Sequence, residues 1–78
     1  MDEIFEKMKK LIADKLEVEE EKITLEADFR NDLSADSLDT YELIYAIEEE
    51  MGVQIPDEEA NTFVTVGDAY NYIKGHLN

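Results

Sequence analysis

The stretch Asp36-Ser37-Leu38-Asp39-Thr40-Tyr41-Glu42-Leu43, continued by Ile44-Tyr45-Ala46-Ile47-Glu48-Glu49-Glu50-Met51-Gly52, decides the fold. At the 100° per residue of an α-helix, Thr40, Leu43, Ile44, Ile47 and Met51 gather on one side, which must be a core face. Asp36 is placed to cap such a helix, which then runs from Ser37 to Met51, and Gly52 supplies a left-handed stop. Leu38, Tyr41, Glu42, Tyr45 and Glu49 fall on the opposite side. Single exposed hydrophobes are ordinary. A leucine and two tyrosines at helical spacing, rimmed by acids, are instead read as a partner-binding strip.

Working outward, Ile4, Phe5, Met8, Leu11, Ile12 and Leu16 form one stripe of a helix from about Asp2 to Leu16. Acids near its start and lysines further along suit the helix dipole. Val18 to Asp36 shows no sustained period. It reads as a long ordered loop pinned to the core by Ile23, Leu25, Phe29 and Leu33. Ile55-Pro56-Asp57 breaks the chain, and Asp57 to Asn61 allows one short helical turn with Asp57 as a possible cap. Thr65-Val66-Gly67-Asp68 has the form of a capping box, followed by the stripe Val66, Ala69, Tyr70, Ile73 and Leu77. No segment alternates convincingly as a strand. The expectation is all-α: one domain over residues 1–78, a small antiparallel bundle of three main helices plus one short helix, with a long loop between the first and second.

Composition narrows the function. A chain of 78 residues buries only about 60% of the surface its unfolded form exposes, which leaves little room for a walled active site. It has no cysteine, so the polypeptide offers no disulfide, thiolate metal site or thiol nucleophile. The longest clean apolar run, Leu43 to Ile47, has five residues, far short of the roughly 20 that span a bilayer. The acidic start Met1-Asp2-Glu3 lacks the layout of a signal peptide, so a soluble, cytoplasmic protein is expected. A net charge of −14 argues against nucleic acid and membrane insertion, and for basic partner surfaces. Disorder is disfavoured, because 44% of residues are hydrophobic and fall in regular patterns.

Catalysis by the chain finds no support. Ser37 has no Gly-x-Ser-x-Gly elbow around it, and the only histidine, His76, lies near the C-terminus. Asp28, Asp32, Ser34 and Asp36 suggest a calcium loop. Counting from Asp32, however, the sixth position is Ser37 where Gly is needed, and the twelfth is Leu43 where Glu is needed. No specific metal site is expected. Glu48, Glu49 and Glu50 have no pocket to tune them and read as a charged face. Ser37 therefore reads either as an ordinary serine in a first helical turn or as an attachment point for something the chain does not itself contain.

The ordered set of Asp36-Ser37-Leu38, Glu48-Glu49-Glu50, Ile55-Pro56-Asp57-Glu58 and Thr65-Val66-Gly67-Asp68 resembles the acyl carrier proteins, essentially over the whole chain. A free-standing, very acidic domain is similar to the carriers of dissociated fatty-acid synthesis. The resemblance implies a non-enzymatic carrier whose Ser37 receives 4′-phosphopantetheine from coenzyme A through a phosphopantetheinyl transferase. The arm would supply the missing thiol, and acyl groups would travel on it as thioesters. The resemblance also implies docking on basic patches of synthesis enzymes through Asp36, Leu38, Asp39, Tyr41, Glu42, Tyr45, Glu48 and Glu49, as a monomer. An acyl-chain cavity would be bordered by Phe29, Thr40, Leu43, Ile47, Ile55, Ala60 and Phe63. Two departures stand out: tyrosines at 41 and 45 where aliphatic residues or Met are usual, and Ser34 where Gly is frequent. A carrier for a specialised acyl or polyketide pathway and an acidic helical adaptor without a prosthetic group are the alternatives.

Overall fold

A computed structural model describes residues 3–76, and for Ser37 the backbone alone. Four α-helices occur among these residues: α1 (Glu3–Leu16), α2 (Ser37–Met51), α3 (Asp57–Ala60) and α4 (Val66–His76). A 3₁₀ turn over Glu20–Lys22 interrupts the long loop, a feature that hydrophobic periodicity does not register. The expected first residue of the first helix, Asp2, and the last residue of the final stripe, Leu77, lie outside the described residues.

α2 has the expected bounds, and its caps explain them. The Asp36 carboxylate accepts from the Asp39 amide at 2.9 Å, and the Asp39 carboxylate accepts from the Asp36 amide at 3.2 Å. The two first-turn acids thus satisfy each other's backbone in a capping box. At the far end Gly52 sits at φ 68°, and its amide donates to the Glu48 carbonyl. α1 ends in the same left-handed conformation, but there the residue is Glu17, at φ 55°. The Val18 amide follows and donates to the Ala13 carbonyl at 3.2 Å, closing the turn. α3 begins one residue differently from the expectation. Pro56 is its cap residue and Asp57 its first helical residue, and no side chain caps it. Proline's fixed φ lets it enter a helix without needing a donor.

The inner faces of α1, α2 and α4 form the core. Met8, Ile12, Leu43, Ile47, Val66 and Ile73 are fully buried within it. Each such side chain contributes about 1.5–3 kcal/mol of transfer free energy. Phe5 and Tyr70 meet edge to face, with ring centroids 5.9 Å apart. Three of the four expected loop pins are buried, namely Ile23, Phe29 and Leu33, while Leu25 is half-buried. Ala27 and Ala35 join them in the core.

A short antiparallel bridge between Asp28 and Thr65 ties the long loop to the start of α4. The Phe29 amide donates to the Val64 carbonyl, Val66 to Ala27, and Gly67 to Leu25, all at 2.9–3.0 Å. A Cβ at position 67 would lie 2.8 Å from the Leu25 carbonyl oxygen. The glycine inside Thr65-Val66-Gly67-Asp68 is therefore required by close backbone approach. The capping box itself forms: the Asp68 amide donates to Thr65 Oγ1 at 3.2 Å, and the Thr65 amide to Asp68 Oδ2 at 3.1 Å. The Val64 amide adds a second bond to the same carboxylate, and these backbone donors, Val64 foremost, hold the Asp68 pKa below its usual 3.8.

Candidate functional site

The outer face of α2 is the most unusual surface of the molecule. Leu38 is 67% exposed, Tyr45 63% and Tyr41 49%, whereas Leu43 and Ile47 on the inner face are 0% exposed. Glu42 and Glu49 are exposed beside the tyrosines. The Tyr45 phenol titrates above its usual value because it donates toward the Glu49 carboxylate and lies in the field of that charge. Exposure of three large apolar side chains in one row places an apolar strip within an acidic field.

The other acids of this face have local structural work as well. Asp36 and Asp39 are committed to the capping box. Glu48 is half-buried, and its carboxylate accepts from the Ile55 amide at 2.8 Å, fixing the chain that leaves α2. Glu42 and Glu49 are exposed and cap no backbone among the described residues, and Glu49 accepts from the Tyr45 phenol.

Ser37 is the first residue of α2. First-turn amides, such as that of Leu38, have no carbonyl four residues back within the helix, so the site offers backbone donors and the positive end of the helix dipole. Thr40 and Tyr41, three and four residues on, lie one turn away on the same side of the helix. Both line a cleft of about 350 Å³ between α2, the 28–31 turn and the segment 60–64. Phe29, Ala60, Phe63 and Val64 give this cleft apolar walls, and Arg30, Asn31 and Asn61 make its mouth polar. The Tyr41 hydroxyl reaches Asn61 Oδ1 at 3.4 Å across the opening. An acid-built turn supports the rim: Asp28 Oδ1 accepts from the Arg30 and Asn31 amides, and Asp32 Oδ2 from the Asp28 amide. Among the described residues no group of His, Cys, Asp or Glu converges as a metal site.

Of the residues expected to border an acyl cavity, Phe29, Thr40, Ala60 and Phe63 meet at this cleft. Leu43, Ile47 and Ile55 are buried and do not line it. Asp28, Arg30, Asn31, Tyr41, Asn61 and Val64 line it without having been singled out for it from sequence. Their convergence depends on the bridge between residues 28 and 65, which no local pattern encodes. The one available hint was the apolar pair Phe63-Val64 just before the last capping box, since only one of its members needs a core partner.

An acidic helical bundle with a serine at the head of the helix that bears the exposed apolar row, one turn from a small cleft, defines a carrier domain. The chain belongs to the phosphopantetheine attachment site family, whose model matches residues 6–73. It is 69% identical over 77 residues to the acyl carrier protein of Treponema pallidum, covering 99% of each chain. It is 64% identical over 74 residues to that of Treponema denticola, covering 95% of each. A solved structure of the acyl carrier protein from Enterococcus faecalis superposes with a TM-score of 0.80 at 34% identity, over 95% of this chain and 94% of that one. This is a carrier family and not a catalytic one, and its prosthetic group is 4′-phosphopantetheine. The start of α2 fits that group, because a phosphodiester there would meet first-turn amides and the positive helix end. No helix among the described residues is long and apolar enough to cross a membrane.

Proposed function

We propose that Ser37 is the attachment point of the 4′-phosphopantetheine arm, and that the chain shuttles acyl groups among the enzymes of dissociated fatty-acid synthesis in the cytoplasm, as a single-domain monomer. The observation that carries this reading is the place of Ser37: first residue of α2, one turn from Thr40 and Tyr41 at the cleft and next to the exposed Leu38. When bound, the arm supplies a thiol to a chain that has no cysteine.

The chain's own residues then have separate duties. Asp36 and Asp39 fix the start of α2, so the attachment backbone is held in place before any enzyme arrives. Leu38, Tyr41 and Tyr45 supply dry contact to a phosphopantetheinyl transferase and to synthesis enzymes. Glu42 and Glu49, with Asp36, Asp39 and Glu48 adding field, speed encounter with basic docking patches. Phe29, Thr40, Ala60 and Phe63 line the cleft that takes the start of an acyl chain, and Leu43, Ile47 and Ile55 lie deeper, where a longer chain would displace core contacts.

Reconstituted fatty-acid synthesis from purified, dissociated enzymes tests the pathway. Loaded wild-type chain should sustain elongation, and Ser37→Ala should sustain none while keeping its helical circular dichroism. Elongation that proceeds with Ser37→Ala would overturn the site. A loaded chain that every fatty-acid enzyme refuses would move the protein to a specialised acyl pathway.

A further inference from the structure

The exposed face of α2 does not end at its own edge. Leu11 and Asp14 of α1 stand opposite Tyr41, Tyr45 and Glu49 across a groove of about 730 Å³. Its apolar part is made by Leu11 and Ala46, both half-buried, and by the tyrosine rings. Four carboxylates surround it, from Asp14, Glu42, Glu49 and Glu50, against a single cation, Lys15. Lys15 is not within ion-pair distance of any of them. The groove therefore combines open aromatic faces with an uncompensated negative field, and these are the two features a guanidinium uses at once.

We propose that the α1–α2 groove is an arginine receptor, which seats an arginine-bearing helix of a partner enzyme, so that partners read α1 as well as α2. The choice of arginine over lysine follows from the walls. A planar, weakly hydrated guanidinium stacks on a tyrosine face and still presents its fork to a carboxylate; an ammonium is a compact, strongly hydrated charge that gains little from the ring. Tyr45 is the stacking platform, held beside Glu49, and Asp14 closes the fork from the α1 side. Leu11 and Ala46 take the aliphatic stem. Identification of the partner as an enzyme that acts on the carrier rests on the function proposed above; the receptor chemistry does not.

The test uses the full chain and two amphipathic helical peptides identical except that one carries arginine and the other lysine. Titration followed by amide chemical shifts should place the arginine peptide at Leu11, Asp14, Tyr45 and Glu49, with affinity about two- to fivefold above the lysine peptide, the worth of an exposed cation–π contact. Tyr45→Leu keeps an apolar side chain and should abolish that preference; Asp14→Asn should weaken both peptides. Equal affinity for the two peptides, shifts confined to residues 36–42, or no binding of either would each overturn the proposal. Loading from coenzyme A at Ser37 is a separate readout. A chain that loads yet shows no arginine preference refutes the receptor alone. A chain that fails to load yet binds the arginine peptide at the groove keeps the receptor and refutes the carrier reading.

Discussion

On the inner face of α2, which packs against α1, Leu43, Ile44 and Ile47 are buried in the core; on its outer face, Leu38, Tyr41 and Tyr45 stand in water. One helix of 15 residues thus holds apolar side chains of similar size in opposite environments. The inner residues are fixed by packing, where lost volume cannot be refilled. The outer ones are exposed and contribute little to folding; the proposed function makes them the contact to a partner. Substitutions should therefore separate: inner changes should move stability, outer changes should move docking.

The largest expected effect is on the inner face. Ile47→Ala should destabilise by about 2–5 kcal/mol in urea unfolding, because it opens a cavity at a fully buried site. For a small domain that is a large share of the total. A change below about 1 kcal/mol would show that the core repacks and that the two faces are less distinct than drawn.

Next comes Gly67→Ala. Alanine gains up to about 1 kcal/mol in helix propensity. Its Cβ would nevertheless lie 2.8 Å from the Leu25 carbonyl, so backbone must move and the bridge to the long loop must loosen. A net loss of about 1–2 kcal/mol is expected, of the size typical for overpacking, and the same unfolding experiment measures it.

Asp68→Asn should cost less, under about 1 kcal/mol, as cap losses do. Its pH dependence has a definite sign. The folded pKa of Asp68 is depressed, so its contribution is present above the usual carboxylate value of 3.8 and is lost as pH falls through and below it. The wild-type advantage over Asp68→Asn should be full at pH 7 and shrink below about pH 4. A difference that is constant from pH 7 to pH 3 would contradict the charge-assisted cap.

The outer face should respond oppositely. Glu42→Lys should leave stability within about 0.5 kcal/mol, as exposed changes do, yet slow modification by the transferase several-fold. Unchanged kinetics would count against acidic docking. Asp39→Lys is a poorer probe, because Asp39 also belongs to the capping box and its loss confounds docking with fold.

The legible and illegible parts of this chain divide along the same physical line. α2 could be read to the residue, because Asp36, Gly52 and the 100° apolar stripe act locally. The exposed row of Leu38, Tyr41 and Tyr45 followed from the same wheel. The pairing of 25–29 with 64–67 could not be read, since backbone bonds between distant segments hold it, while the 3₁₀ turn at Glu20–Lys22 and the Asp28-centred turn are local but carry no hydrophobic period. The cleft inherits that blindness. Phe29 and Phe63 were visible as apolar residues, but Arg30, Asn31 and Asn61 enter it only once the bridge has formed. At α3 the sequence pointed to Asp57 as a possible cap; the structure puts Pro56 there, where its fixed φ suits the entry, and makes Asp57 the first helical residue.

The central claim is that Ser37 carries the arm. Its most direct test is the intact mass of a verified apo protein before and after incubation with coenzyme A, Mg²⁺ and a broad-specificity phosphopantetheinyl transferase. The account predicts a gain of one phosphopantetheinyl unit in the wild type and none in a folded Ser37→Ala. A folded wild-type chain that gains nothing, or a Ser37→Ala chain that gains the unit, would contradict it.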